Sequence, residues 1–222
     1  EAAITENTAA FLVEPIQGEA GIVVPPKGYL KRCEAICKRH NVLFICDEIQ
    51  TGLGRTGRLF AHQHDEVSPD ALILGKALGG GVLPVSMFLA NNEVMDVFKP
   101  GDHGSTFGGN PLSSAVGLQA INTLLEEKLT ENSAELGAYF KKALLEIDHP
   151  AIVEVRGSGL FIGVEINPDI ANARDICLAL MDQGLLSKET HATVVRFAPP
   201  LTIDKATIDQ ALDMIRQVFS KI

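Results

Sequence analysis

The chain has 222 residues, of which 46% are hydrophobic, and its formal net charge is −9 at pH 7 with an isoelectric point near 5.1. This length and hydrophobic content allow one large or two small domains with a substantial buried core. The acidic balance argues against a nucleic-acid partner, and the lack of a transmembrane-length apolar run or a signal peptide favours a cytoplasmic protein over a membrane-bound or secreted one.

The first third of the chain alternates strand-like and helix-like segments. Residues 11–13 form a short apolar run that ends at Glu14, and residues 26–40 carry apolar positions at helical spacing. That helix leads into residues 42–46, a continuous apolar run typical of a strand that is buried on both faces. The alternation therefore predicts parallel strands joined by right-handed crossovers.

Two charged side chains follow short apolar runs. Asp47 comes directly after residues 42–46, and Lys76 follows residues 71–74 after one glycine. Because the site in an open α/β sheet lies beyond the carboxyl ends of its strands, we expect both groups at the same edge. An enzyme that uses pyridoxal phosphate needs these two groups most. The amine holds the cofactor aldehyde as a Schiff base, and the carboxylate keeps the pyridine nitrogen protonated.

Further elements are predicted along the rest of the chain, and their pattern changes beyond Pro150. The predicted elements are a strand over 85–90, helices over 112–125 and 134–147, strands over 152–156, 161–166 and 194–197, and helices over 171–183 and 204–220. Asp204 has the side chain of an N-cap for the last helix. We therefore predict that residues 1–149 are part of a large domain ending in a long linking helix, and that residues 150–222 form a small C-terminal domain.

Four motifs occur in an order and at a spacing that are typical of one family. They are Glu14-Pro15-Ile16-Gln17-Gly18-Glu19, Asp47-Glu48-Ile49-Gln50-Thr51-Gly52, Leu74-Gly75-Lys76 and Gly104-Ser105-Thr106-Phe107-Gly108-Gly109-Asn110-Pro111. Together they resemble the class III aminotransferases of the fold type I pyridoxal phosphate superfamily, over nearly the whole chain. The resemblance implies an α/β fold, with a mainly parallel sheet in the large domain and a small α+β C-terminal domain.

Within that family, three further segments are most similar to the ornithine aminotransferases. They are residues 18–25, 184–191 and 195–201. The resemblance implies transfer of the δ-amino group of L-ornithine to 2-oxoglutarate, giving glutamate 5-semialdehyde and glutamate, in proline biosynthesis and arginine metabolism. Acetylornithine and 4-aminobutyrate aminotransferases are alternatives within the family, and a non-catalytic α/β nucleotide-binding domain is the alternative from another class.

The family also implies partners. Its members act on small amino acids and 2-oxo acids as homodimers with shared active sites. Relative to them the chain lacks an N-terminal part, which carries a phosphate loop, a stacking aromatic residue and several ornithine-recognising residues. We therefore expect a fragment that is inactive alone and that needs the missing N-terminal part of the same protein.

The resemblance assigns roles around the cofactor. Asp47 meets the pyridine nitrogen, Ile49 packs on the ring because residues two apart in a strand share a face, and Gln50 lies near the phenolic oxygen. Lys76 moves a proton as general base and acid, and its apolar, glycine-flanked setting is expected to keep water from it. Considered alone, Asp47 is a weak signal, because a carboxylate at a strand end is often only a helix cap or a loop residue, and a solvated loop lysine is the alternative for Lys76.

Ser105 and Thr106 lie in a glycine-rich loop before a predicted helix. Hydroxyls and backbone N–H groups in such a loop suit a phosphate. In the family the threonine reaches the phosphate bound by the neighbouring subunit. An ordinary Gly-Asn-Pro turn is the alternative interpretation.

Arg196 is an isolated cation in an apolar strand, so its burial requires a carboxylate partner. The resemblance pairs it with Glu19 and assigns it the α-carboxylate of the substrate, in a bidentate contact. Glu14 is also expected to contribute to substrate binding. A purely structural ion pair is the alternative for Arg196.

Three other patterns have ordinary explanations. Residues 52–57 match G-x-G-x-x-G, but no acidic residue ends a second strand about twenty residues later, so we interpret them as a tight loop. Residues 62–66, His-Gln-His-Asp-Glu, lack a second ligand cluster, so we interpret them as a solvated loop without a metal. Cys33 and Cys37 share a helix with His40 and have apolar neighbours, which is typical of core positions, and the cysteines are expected to be reduced.

Overall fold

The computed structural model describes residues 1–222, which pack as two compact units. The first unit comprises Glu1–Pro15, Pro25–Leu53 and Phe60–Glu127, and the second comprises Ile16–Val24, Gly54–Leu59 and Lys128–Ile222. The domain boundary predicted at residue 150 stays a prediction, and it falls within the second unit. None of the helices is long and apolar enough to cross a membrane.

The first unit contains a four-stranded sheet. Its strands and helices are β1 (Ala10–Val13), α1 (Tyr29–His40), β2 (Leu43–Asp47), β3 (Ala71–Leu74), β4 (Met87–Ala90), α2 (Asn92–Met95) and α3 (Pro111–Glu126), with 3-10 helices at Ala61–His64 and Lys76–Gly79. The strand order is β1-β2-β3-β4, and the first three strands are parallel while β4 is antiparallel. The prediction of a mainly parallel sheet is therefore confirmed, with one antiparallel edge.

Contacts at its N-terminus explain where α1 begins. The helix begins at Tyr29, three residues later than predicted, because Gly28 adopts a left-handed conformation and both oxygens of Asp65 accept backbone N–H groups, from Gly28 at 3.1 Å and Leu30 at 3.0 Å. Cys37 and Leu30 face the core of the first unit. The remaining buried members of that core are Val13, Val42, Phe44, Cys46 and Val67.

The second unit is built on an antiparallel sheet. Its elements are α4 (Leu129–Leu145), β5 (Ile152–Ser158), β6 (Phe161–Ile166), α5 (Ala173–Asp182), β7 (Lys188–Thr190), β8 (Val194–Phe197) and α6 (Lys205–Phe219), and the strand order is β5-β6-β8-β7. The predicted N-cap is confirmed, since the Asp204 side chain accepts the backbone N–H of Thr207 at 2.8 Å. β7 was not predicted, because a strand of three residues leaves little periodicity to detect.

All four cysteines are free thiols. Cys37, Cys46 and Cys177 are buried, and Cys33 is half-buried in α1, so the interpretation of Cys33 and Cys37 as core positions agrees with their burial. Burial raises the pKa of Cys46 to about 12, with the nearby Glu48 carboxylate as the second cause. Cys46 is therefore a packing group rather than a nucleophile.

Candidate active site

Three acidic or basic residues lie at the carboxyl ends of adjacent parallel strands in the first unit. Glu14 follows β1, and Asp47 is the last residue of β2. Lys76 begins the 3-10 helix and is separated from β3 by Gly75 alone. The register pairs Val13 with Cys46 and Asp47 with Ile73. Because the strands are parallel and in this register, the three residues lie at one edge of the sheet, and for Asp47 and Lys76 this was the expectation from the sequence.

The Asp47 carboxylate is held by its own turn. Asp47 is half-buried, and its Oδ1 accepts the backbone N–H of Ile49 at 3.0 Å. Ile49 in turn faces Gly75, because a Cβ placed on Gly75 would lie 3.5 Å from both Cγ1 and Cγ2 of Ile49. The motif that carries Asp47 is thus in contact with the residue that precedes Lys76.

Lys76 has an unusual backbone conformation. Its φ is 44°, in the left-handed region, which costs about 1–3 kcal/mol for a residue other than glycine. The expectation that water is kept from Lys76 is wrong for this chain, in which the side chain is exposed. The apolar environment of β3 does not extend to Lys76, because the strand ends at Leu74 and the chain turns into the 3-10 helix.

Glu48 is a residue of this site that sequence reasoning did not single out. Its side chain is buried and accepts hydrogen bonds from Thr51, Ala61 and His62. A detectable signal was present, because Glu48 continues the alternation in which Phe44 and Cys46 face the core. A charged residue at such a position predicts a satisfied polar cluster. Gln50, the other polar residue of this motif, is half-buried.

The interpretation of residues 62–66 as a solvated loop is wrong for His62. Residues Ala61–His64 form a 3-10 helix, and His62 is buried. Its ring stacks on Phe60, with centroids 5.7 Å apart, and its Nδ1 lies 2.9 Å from Oε1 of Glu48. His62 is buried because its polar ring has a carboxylate partner in the same unit.

The glycine-rich loop with Ser105 and Thr106 lies before α3, as predicted. Ser105 is exposed, and its Oγ accepts the backbone N–H of Gly108 at 3.1 Å. Asn110 caps α3 by accepting the N–H of Ser113 at 2.9 Å. Thr106 is exposed, so its hydroxyl is accessible on this chain, and its contact with a phosphate stays a prediction.

In the second unit, the predicted pair between Glu19 and Arg196 is formed. Nη1 of Arg196 donates to Oε1 of Glu19 at 2.7 Å, and Arg196 is half-buried in β8. The backbone of Glu19 is fixed as well, because Thr190 Oγ1 donates to its carbonyl oxygen at 2.7 Å. The pair joins residues far apart in sequence, and its role in substrate binding stays a prediction.

Arg55 is a second cation near Arg196. Its Nη1 donates to the carbonyl oxygens of Leu160, at 2.9 Å, and Pro199, at 2.6 Å. Burial, and secondarily the positive charge of Arg196, lower the pKa of Arg55 to about 10. Arg55 comes from the loop that matched G-x-G-x-x-G, and this loop is followed by further turns rather than a helix, so it is not a dinucleotide fingerprint.

A carboxylate and an amine lie at the ends of adjacent parallel strands of this α/β sheet, and comparison with known families assigns the chain to a class of protein. The family model of class III aminotransferases matches residues 1–219. The chain therefore belongs to the class III aminotransferases, whose cofactor is pyridoxal 5′-phosphate. The residues present are compatible with this group, because Asp47 and Lys76 lie at the ends of adjacent parallel strands and the apolar Ile49, whose N–H binds Asp47, faces Gly75 directly before Lys76.

Two similar curated relatives are both ornithine aminotransferases. An ornithine aminotransferase of Staphylococcus epidermidis is 62% identical over 220 residues, which are 99% of this chain and 55% of that protein. Ornithine aminotransferase 2 of Staphylococcus aureus is 63% identical over 219 residues, 99% of this chain and 54% of that protein. The chain thus spans about half the length of the curated relatives it matches.

Solved structures agree with this fold. The ornithine aminotransferase of Toxoplasma gondii, with pyridoxal phosphate partially occupying its active site, has a TM-score of 0.94 and 50% identity. The match covers 97% of this chain and 51% of that one. An acetylornithine aminotransferase from Elizabethkingia anophelis has a TM-score of 0.92 and 50% identity, and the match covers 96% of this chain and 57% of that one. The α/β fold type I class is therefore established.

Proposed function

We propose that the whole protein is a pyridoxal phosphate-dependent aminotransferase that moves the δ-amino group of L-ornithine to 2-oxoglutarate, yielding glutamate 5-semialdehyde and glutamate. The observation that carries the proposal is the placement of Asp47 and Lys76 at the ends of adjacent parallel strands. The identity to ornithine aminotransferases over nearly the whole chain supports ornithine as the donor.

Four residues of the chain have separate proposed roles at the cofactor. When bound, pyridoxal phosphate supplies an electron sink for cleavage of the C–H bond beside the reacting amine. The Asp47 carboxylate would hold the proton on the ring nitrogen, and Ile49 would pack against the flat ring. Gln50 would hydrogen-bond to the phenolic oxygen. Lys76 would hold the cofactor through its amine and would act as general base and acid at the C–H bond of the substrate.

Glu19 and Arg196 discriminate the two substrates by charge. The δ-amino end of ornithine has no carboxylate near it, so Arg196 needs Glu19 as its counterion. The oxo acid brings an α-carboxylate, which replaces Glu19 in a bidentate contact with the guanidinium. The short Glu19–Arg196 contact supports the first of these two states. Glu14, at the end of β1, is proposed to contribute to substrate binding.

The wider setting is also part of the proposal. We place the protein in the cytoplasm, in proline biosynthesis and arginine metabolism, as a homodimer in which Ser105 and Thr106 bind a phosphate and Thr106 reaches across to the neighbouring subunit. The chain spans about half the length of its curated relatives, and we propose that residues outside this chain complete the site. The exposure of the Thr106 hydroxyl supports this arrangement.

Spectroscopy and product analysis test the proposal. The full-length protein should have a visible absorption band that borohydride removes, and should form glutamate 5-semialdehyde from ornithine and 2-oxoglutarate. Nicotinamide binding without that band would instead support a nucleotide-binding domain. Acetylornithine is the second candidate donor, because an acetylornithine aminotransferase is 50% identical in sequence to this chain. A higher kcat/KM for acetylornithine than for ornithine would favour it.

A further inference from the structure

Glu48 is a carboxylate on the core-facing side of β2. Phe44 and Cys46 precede it at alternate buried positions, and Glu48 itself is 1% exposed. Asp47 lies on the opposite face of the same strand end, where it is half-buried. The Asp-Glu pair thus places one carboxylate toward the proposed cofactor and the other into the interior of the unit.

The buried carboxylate is fully supplied with donors. Oε2 accepts from Thr51 Oγ1 at 2.8 Å and from the backbone N–H of Ala61 at 2.8 Å. Oε1 accepts from the backbone N–H of His62 at 2.8 Å and lies 2.9 Å from its Nδ1. Since an unpaired buried charge is costly, a carboxylate at this position is stable only with such a set of donors.

Backbone hydrogen bonds of Glu48 also fix the path of the chain after Asp47. The backbone N–H of Glu48 donates to the Ile73 carbonyl on β3 at 2.9 Å, and the Glu48 carbonyl accepts the N–H of Gly52 at 2.9 Å. A Cβ on Gly52 would lie only 2.8 Å from that carbonyl oxygen, so the turn closes tightly on a glycine. Together with the Thr51 hydroxyl, these contacts fix residues 48–52 at both ends.

The same turn carries the contacts proposed for the cofactor. The Ile49 N–H that orients Asp47 Oδ1 lies between the two fixed ends, and the Ile49 side chain faces Gly75, which precedes Lys76. A shift of this turn would move both the Asp47 carboxylate and the apolar surface of Ile49. A displacement of about 1 Å at a catalytic site lowers rates by about a hundredfold.

We propose that Glu48 is a positioning residue for the cofactor site, acting through Thr51 and His62 to hold Asp47 and Ile49 in place. The inference rests on the proposed function and deepens it. Glu48 makes no contact with substrate or cofactor in this role. Its two acceptor oxygens and its shape both matter, because the Thr51 hydroxyl and the backbone N–H groups of Ala61 and His62 all donate to these oxygens.

Substitution of Glu48 by glutamine tests the inference. The change preserves the side-chain volume but turns an NH₂ group toward backbone N–H donors. In the full-length protein, Glu48→Gln should raise the dissociation constant of pyridoxal phosphate by at least about tenfold and shift or weaken the visible band. Thr51→Val, which removes one of the donors, should raise the dissociation constant by about two- to fivefold. The matched control is Glu93→Gln, at an exposed position on α2, which should change neither quantity.

The unfolding midpoint of the cofactor-free protein separates positioning from plain stability. A Glu48→Gln variant that is less stable without cofactor, but binds it with unchanged affinity and an unchanged band, overturns the inference. If Glu48→Gln does not fold, Thr51→Val decides, and unchanged cofactor affinity in that variant overturns the inference as well. If the wild-type protein shows no visible band, the proposed function itself is refuted. If the wild-type band is normal and Glu48→Gln changes neither the band nor the cofactor affinity, only the inference about Glu48 is refuted.

Discussion

In the first unit, Asp47 and Lys76 lie at the carboxyl ends of strands in a mainly parallel sheet, whereas in the second unit Arg196 lies within a strand of an antiparallel sheet. The first unit has a modest apolar core, and its edge strand β4 is exposed along Met87, Phe88 and Leu89. The second unit has a larger core, to which α4, α5 and α6 all contribute. The larger apolar core thus lies in the second unit, whereas the residues proposed to hold the cofactor lie at the strand ends of the first.

Replacement of Lys76, the amine at the sheet edge of the first unit, is expected to have the largest effect on turnover. Lys76→Ala in the full-length protein should abolish transamination, since loss of a general base alone costs about 10²–10⁴-fold and the covalent attachment is lost too. Turnover of ornithine and trapping with borohydride measure the effect. Near wild-type turnover, or a trapped adduct on another lysine, would remove Lys76 from the mechanism. Lys99→Ala, at an exposed position in the same unit, is the control.

Replacement of the Asp47 carboxylate at the same sheet edge is expected to have the second-largest effect on the rate. Asp47→Asn should leave the cofactor bound but slow the half-reaction with ornithine by about a hundredfold, because an unprotonated ring is a poorer electron sink. Stopped-flow absorbance of the half-reaction measures this rate. A loss smaller than about tenfold would mean that Asp47 is a structural cap for the Ile49 turn and no more.

A pair of leucine substitutions tests the difference in stability. Leu212→Ala, in α6 at 1% exposure, should lower the free energy of unfolding by about 2–5 kcal/mol, because it leaves a cavity in the second unit's core. Leu89→Ala, on β4 at 40% exposure, should cost less than about 1 kcal/mol. Urea unfolding monitored by circular dichroism gives both values. Equal losses would contradict the contrast between the two units.

The smallest effect concerns substrate choice. Glu19→Ala should leave Arg196 open to any α-carboxylate, and so raise the ratio of half-reaction rates for glutamate over ornithine by about tenfold. Both rates are measured on wild type and variant. Glu154→Ala, a substitution of another exposed glutamate of the second unit, is the control. An unchanged ratio in Glu19→Ala would leave the ion pair a structural role only.

Local patterns were sufficient for most elements of the fold. The apolar run of β2, the helical spacing of α6 and the cap at Asp204 each depend on neighbouring residues, so periodicity and capping chemistry located them. The antiparallel direction of β4 and the short strand β7 were not found. Strand direction depends on the pairing partner, and three residues carry too little pattern.

For the candidate site, the sequence by itself determined which residues stand at strand ends, and thus placed Asp47 and Lys76 at one edge. Only the tertiary structure decided which groups surround the buried Glu48 carboxylate, and that His62 is one of them rather than a solvated loop residue. The same holds for the contacts of Arg55 with Leu160 and Pro199. The physical reason is that burial and hydrogen-bond partners arise between segments distant in sequence, whereas residue patterns report only the local backbone.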